Sequence, residues 1–228
     1  VTDIILDTVA SAIAGRHGDE TGQIAALAGA IGGPATSTVI AGQPASLAGA
    51  TLINGYQVTA VTVCDIHRPT LCHVTPEVIP PALAWAEAHH AHGRDFLVAV
   101  AAGLEAVVRV GTGMNYPAMR ARGWHSPGVI GPFGGATAVG RLMGLDPLRF
   151  RNALSLAGTQ SAGTIRNLGD DDPCGAEPFE RGGKGLGHGG LDRPFVSGRL
   201  REPQPREGRH LWRRRAFEGG EHRGGVGG

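Results

Sequence analysis

At 228 residues the chain is long enough to bury a sizeable core in one large domain. A formal net charge of +1 lacks the basic excess of a nucleic-acid binder, and three cysteines (Cys64, Cys72 and Cys174) in no CxxC pair fit reduced thiols rather than a disulfide framework. No uninterrupted apolar run reaches the length of about 18 residues that a membrane span needs, and residues 1–7 carry neither a basic region nor a long apolar core. No membrane association and no signal peptide are therefore expected, and the expected compartment is the cytoplasm. The chain starts without Met and enters helical periodicity at once, so native sequence is expected to precede it.

In chain order, Ile4, Ile5, Leu6, Val9, Ala10, Ile13 and Ala14 recur at helical spacing, which predicts a helix from Thr2 to Ala14 stopped by Gly15. An Ala-rich helix is predicted from Thr21 to Ile31, ended by Gly32-Gly33-Pro34. Ser37-Thr38-Val39-Ile40 is a short strand candidate. Ser46 to Val61 predicts a further helix with a weak point at Asn54-Gly55. Two proline-containing loops follow, around Arg68-Pro69 and Val74-Thr75-Pro76. The next helix spans Glu77 to His92, its regular part starting at Pro80-Pro81 and its end set by Gly93. Asp95 to Val110 has the clearest amphipathic pattern, with Glu105 placed to pair with Arg109 at i,i+4. Gly128 to Leu142 is a glycine- and alanine-rich helix suited to close packing. Asp146-Pro147 is an N-cap followed by proline, opening a helix through about Gly158. Six or seven helices and almost no strand predict an all-α helical bundle over residues 1–165.

Residues 166–228 differ. They are dominated by Gly, Arg, Pro and Glu, show no periodicity of either kind, and cannot bury enough apolar surface to offset ordering. A largely irregular tail is expected there. Two origins stay open: a native disordered tail, or an out-of-frame translation of a GC-rich gene, which would explain the abrupt change.

Two polar clusters could carry chemistry. Residues 64–73 (Cys-Asp-Ile-His-Arg-Pro-Thr-Leu-Cys-His) place Asp65, His67 and His73 in one proline-bounded loop. Carboxylate and imidazole together can hold a base and an acid near neutral pH. The same residue types can ligate a metal, but the spacing matches no zinc pattern. The bland alternative is a solvated loop whose side chains cap neighbouring helices. The second cluster, Arg120-Ala121-Arg122-Gly123-Trp124-His125-Ser126-Pro127, puts a histidine at a helix N-terminus beside two arginines, a setting that suits a carboxylate ligand. Its alternative is a histidine that only caps the helix. His89, His90 and His92 read as surface residues. Gly131, Gly134 and Gly135 read as helix packing, since no strand precedes them and no Lys-Ser/Thr follows.

Several segments in order carry a resemblance. They are Leu6-Asp7-Thr8-Val9 with Ala14-Gly15, Ala50-Thr51-Leu52-Ile53-Asn54-Gly55-Tyr56, Asp65-Ile66-His67, and Ala84-Trp85-Ala86-Glu87. Then come Gly103-Leu104-Glu105 with Arg109, the run from Gly123-Trp124-His125 to Gly131, Gly144-Leu145-Asp146, and the run from Asn152-Ala153-Leu154 to Gly158. Over about residues 1–165 the chain resembles the MmgE/PrpD family, whose members dehydrate 2-methylcitrate, decarboxylate cis-aconitate or epimerise related acids without metal or organic cofactor. The resemblance implies a large helical domain, a smaller α/β lid domain and a homodimer, with the site between the domains. It implies catalytic roles for Asp65, His73 and His125, and more loosely for His67. Thr62 and Cys64 stand where the family loop is frequently acidic, which leaves the substrate open.

The expected chemistry is proton abstraction next to a carboxylate, with loss of water or carbon dioxide from a small di- or tricarboxylic acid. His125 or Asp65 would be the base, His73 the paired acid, and Arg122 a holder of a substrate carboxylate. With the lid segment missing, the chain as written is expected to be truncated and inactive. The rival reading is a non-catalytic helical interaction or structural protein derived from the same family.

Overall fold

A computed structural model describes residues 1–164, and these form the expected all-α bundle: eight helices and no strand among the described residues. The expected irregular tail lies outside them. The first helix, α1 (Thr2–Gly15), buries Thr8, Ser11, Ala12 and Gly15. A Cβ at Gly15 would lie 2.0 Å from the Gln57 carbonyl oxygen, so only glycine lets α1 approach α3 (Leu47–Ala60) this closely. Helix α2 (Thr21–Ile31) is tied to α3 by Tyr56, whose hydroxyl accepts from the Glu20 N–H at 2.9 Å and donates to Glu20 Oε2 at 2.8 Å. Ser46 caps α3 by accepting from the Gly49 N–H at 3.2 Å.

The strand expected at Ser37–Ile40 does not form. Ser37 makes one isolated antiparallel bridge to Ala45, the Thr38 N–H donates to Glu87 Oε2 at 2.6 Å, the Val39 carbonyl accepts from the Gly42 N–H at 2.9 Å, and Asn54 takes two more backbone groups. Asn54 Oδ1 accepts from the Ile40 N–H at 2.9 Å while its Nδ2 donates to the Thr38 carbonyl at 2.8 Å. An extended segment with no second strand to pair with needs such a clamp. Asn54, expected to be a weak point, is fully buried for that purpose.

Helix α4 runs Thr75–Ala88, so it starts ahead of Pro80-Pro81 and stops before Gly93. Both prolines sit inside the helix, and with no N–H at Pro81 the Glu77 carbonyl receives no i+4 hydrogen bond. Gly93 opens α5 (Gly93–Gly113) and does not close α4. By length and composition alone α5 could cross a membrane. Val100, Leu104 and Val107 of this helix are buried in the main core against α4 and α7, while Leu97 and Val98 are exposed. Helix α6 (Tyr116–Ala121) is one short element that periodicity did not show. Helices α7 (Ser126–Leu142) and α8 (Pro147–Gln160) complete the set, the latter capped by Asp146 through the Leu148 and Arg149 N–H groups.

The most extensive helix contact is α5 against α7, with α4 packed on both. Glycine sets its closeness. A Cβ at Gly134 would meet Val107 Cγ2 at 2.2 Å, and one at Gly103 would meet the Gly134 carbonyl at 2.9 Å. Ile79, Met119, Ile130, Val78, Val100 and Val107 fill the space between with side chains that are essentially inaccessible; burying each contributes about 1.5–3 kcal/mol. This packed wedge fixes the start of α4 beside the start of α7, and the two polar clusters meet there.

Candidate active site

The loop between α3 and α4 is held by its own polar groups. An antiparallel bridge joins His67 to Cys72, with the His67 N–H donating to the Cys72 carbonyl at 2.9 Å. The Thr70 hydroxyl lies 2.9 Å from His67 Nδ1 and donates to the His67 carbonyl. Thr62 (φ 52°) and Leu71 (φ 44°) occupy the left-handed region that glycine favours, so the chain enters and leaves this turn under strain.

Val74 is the N-cap residue of α4, and the Asp65 carboxyl caps the helix start from ten residues before Thr75. Its carboxyl accepts from the Val74 N–H at 3.2 Å, from the Thr75 N–H at 3.1 Å, and from the Thr75 hydroxyl in a short hydrogen bond. The capping alternative drawn from the sequence is therefore realised at this residue, and its carboxyl is committed to three donors. The backbone carbonyl of Asp65 accepts from His73 Nδ1 at 2.7 Å. A carbonyl cannot donate, so Nδ1 carries the hydrogen and the basic lone pair of a neutral His73 ring sits on Nε2. Cys64 Sγ lies 3.3 Å from the same Nδ1. The pair is no activated thiolate, because burial, reinforced by Asp65 and Glu77, pushes the Cys64 thiol up to about 12. Burial, helped by the same two carboxyls, likewise raises Cys72.

His125 is the N-cap residue of α7 but makes no side-chain cap hydrogen bond. Its backbone N–H donates to the Gly163 carbonyl at 3.1 Å, and Trp124 pairs with Thr164. The capping-only alternative is thus not what the ring does. A hydrogen bond joins this helix start to the loop: the Ser126 hydroxyl donates to the Leu71 carbonyl at 2.9 Å, across 55 residues of sequence. The seam brings His73 and His125 within electrostatic reach. Burial, then His73, then Arg120 lowers the His125 ring to about 4, so it is neutral at pH 7.

The other expected residues fall into place around this pair. His67 is half-buried and occupied with its own turn. Arg122 is exposed, its Nε donating to the Ala118 carbonyl of its own helix at 3.1 Å. Arg120, not Arg122, is the guanidinium that acts on His125. It is half-buried and donates to the Tyr116 hydroxyl at 2.9 Å. His89, His90 and His92 are exposed, with His89 stacked on Trp85 at 4.0 Å. Among the described residues, no three His, Cys, Asp or Glu side chains gather to hold a metal ion.

Sequence reasoning missed Glu77, in the first turn of α4. Its Oε2 is buried without a hydrogen-bond partner among the described residues. Burial, with Asp65 adding to it and the residue's own backbone N–H opposing, raises this carboxyl well above the usual range. The available signal was a glutamate enclosed by Thr75-Pro76 and Val78-Ile79-Pro80, with no polar neighbour on its helix face.

Residues 1–172 match the MmgE/PrpD N-terminal domain. The chain belongs to the MmgE/PrpD family. Within this MmgE/PrpD chain, 123 residues are 34% identical to the cis-aconitate decarboxylase-like protein oryM of Aspergillus oryzae, covering 51% of the chain and 26% of that protein. A stretch of 129 residues is 30% identical to the cis-aconitate decarboxylase of Aspergillus terreus, covering 54% and 26%. The matched part thus spans about a quarter of each of these curated MmgE/PrpD relatives.

Proposed function

We propose that the domain belongs to a lyase acting on small di- or tricarboxylic acids, by decarboxylation as in the cis-aconitate decarboxylases it resembles or by dehydration as in 2-methylcitrate dehydratases. One observation carries this reading. His125, an imidazole kept neutral by burial and by the nearby charge of His73 and Arg120, stands at the start of a helix that favours anions, and the tautomer of His73 is set by the Asp65 carbonyl. His125 is the base that takes a proton next to a substrate carboxylate, and His73, once protonated at Nε2, is the paired acid. Binding an anionic substrate raises the proton affinity of the His125 ring, which offsets its low affinity in the empty site.

Asp65 is the less suited base because three donors already hold its carboxyl. Its part is to fix the start of α4 and the ring of His73. Arg120, whose charge acts on the His125 ring, joins Arg122 as a candidate to hold a substrate carboxylate bidentately. A homodimer and a cytoplasmic location belong to the same proposal. The rival, a helical interaction protein without catalysis, needs neither histidine.

The test is turnover of cis-aconitate, read as carbon dioxide release, and of 2-methylcitrate, read as water loss. Because the chain as written is expected to be inactive, the measurements would be made on a full-length family member, comparing it with the same protein carrying Ala at the positions matching His125 and His73. Each substitution is expected to lower kcat by about 10²–10⁴-fold with folding intact. Unchanged turnover in folded variants would favour the non-catalytic reading.

A further inference from the structure

Helix α6 is short, but both of its ends are fixed. Asn115, in the left-handed region at φ 52°, and Pro117 set its start. At the other end the Met119 carbonyl accepts from the Arg122 N–H at 3.1 Å and the Trp124 N–H at 3.3 Å. The Arg120 carbonyl accepts from the Gly123 N–H at 2.8 Å, and Gly123, at φ 85°, makes the reversal. Met119 is buried in the main core and anchors this turn, which leads directly into His125.

Arg120 is a half-buried cation that enters no ion pair among the described residues, where the pairs are Arg109–Glu105 and Arg149–Asp146. Its guanidinium donates from Nη1 to the Tyr116 hydroxyl at 2.9 Å. The other N–H groups of the planar fork stay open to an acceptor, and their geometry matches a carboxylate. A partly desolvated cation is stabilised by an anion, and here a ligand would have to supply it. The Arg120 charge also acts on the His125 ring, which puts the guanidinium on the side of the site.

Tyr116 is suited to hold that fork in place. It lies one helical turn before Arg120, is 9% exposed and belongs to the main core, so close packing fixes its ring. Arg122, by contrast, is exposed and bonded to its own helix backbone. We infer that Tyr116 is the positioning residue that aims the Arg120 guanidinium at a carboxylate of a substrate bound beside His125. The inference rests on the lyase reading above and assigns one substrate contact to the α6 turn. The carboxylate held there is one that stays on the product, since a departing carbon dioxide loses the charge a guanidinium grips. A second carboxylate is then needed, and di- and tricarboxylic acids have one.

The test uses the whole chain and tricarballylate, a saturated tricarboxylate with neither the double bond nor the hydroxyl that the reactions need. Proton NMR follows the His125 ring. Without ligand, Arg120→Gln should raise the His125 midpoint, and Tyr116→Phe should raise it by a smaller amount. Phe keeps the core packing and drops only the oxygen, so an unmoved midpoint would make Tyr116 a core residue only and overturn the inference. With ligand, Arg120→Gln should weaken binding about 10-fold and Tyr116→Phe about 3-fold. No binding to the wild type, or a loss seen in Arg122→Gln and not in Arg120→Gln, would overturn it as well. The lyase reading fails separately: a family member whose turnover needs neither histidine would end that reading, while tricarballylate held through Arg120 would leave this contact standing.

Discussion

The α4–α5–α7 wedge and the seam beside it are built from opposite materials. In the wedge, Gly103 and Gly134 let two helices touch, and aliphatic side chains fill what is left. At the seam, a strained loop is held by an aspartate, a threonine and a serine, and two imidazoles come within electrostatic reach where it joins α7. The wedge is insensitive to pH and intolerant of volume. The seam is the reverse. Glu77 belongs to both, because α7 glycines house its stem while its carboxyl lies near the loop.

Adding volume to the wedge should have the largest effect. Gly134→Val drives a branched side chain into Val107, and overpacking of this kind costs about 3 kcal/mol or the folded state itself. Urea unfolding measures it, and a fully stable variant would mean the helices are not in close contact.

Acid titration should come next. His125 has a folded value of about 4, below its ordinary 6.5, so the unfolded chain takes up a proton first as pH falls. Stability from this residue is present above about 6.5 and is lost as pH falls through about 4, a loss of up to ~3 kcal/mol. Glu77 works with the opposite sign. Its raised value gives stability that is present below 4.5 and lost as pH rises towards the folded value. The His125 contribution is therefore read as the difference between wild type and His125→Gln across this range. A pH-independent difference would break the contrast between seam and wedge.

Ser126→Ala removes a hydrogen bond from α7 to the loop and leaves the Leu71 carbonyl without it, for about 1–2 kcal/mol. It should also move His125 towards its ordinary value, which a cut in the wedge would not do. The smallest effect should come from Arg109→Ala. The Arg109–Glu105 pair, at 2.5 Å, is exposed on both sides, and such helix pairs contribute about 0.3–0.5 kcal/mol. Thermal unfolding checks both variants.

Local signals were the legible ones. The periodicity of α1, α2 and α5, the Asp146-Pro147 start of α8 and the Glu105–Arg109 pair could all be read directly, because each depends on residues within a turn or two of one another. The start of α4 could not, since its cap is Asp65, ten residues upstream. The segment at Ser37–Ile40 read as a strand because its composition suits extended backbone, and nothing local showed that Asn54 would satisfy it. Helix α6 has only six residues and follows Asn115 in a left-handed conformation, so it gives no periodic pattern. Asp65, His73 and His125 were legible as residue types. Their meeting was not, because it depends on the Ser126–Leu71 bond across 55 residues. Glu77 and Arg120 matter through burial and neighbours, properties that exist only after folding.

The most direct test of the central claim is the proton NMR titration of the His125 ring in the chain and in His73→Ala. The account predicts a midpoint near 4 in the wild type that rises when His73 is removed, since His73 is one of the groups that lower it. A midpoint at the ordinary histidine value, unmoved by the substitution, would mean that the two rings lie out of each other's electrostatic reach, and the proposed proton-transfer site would fall with them.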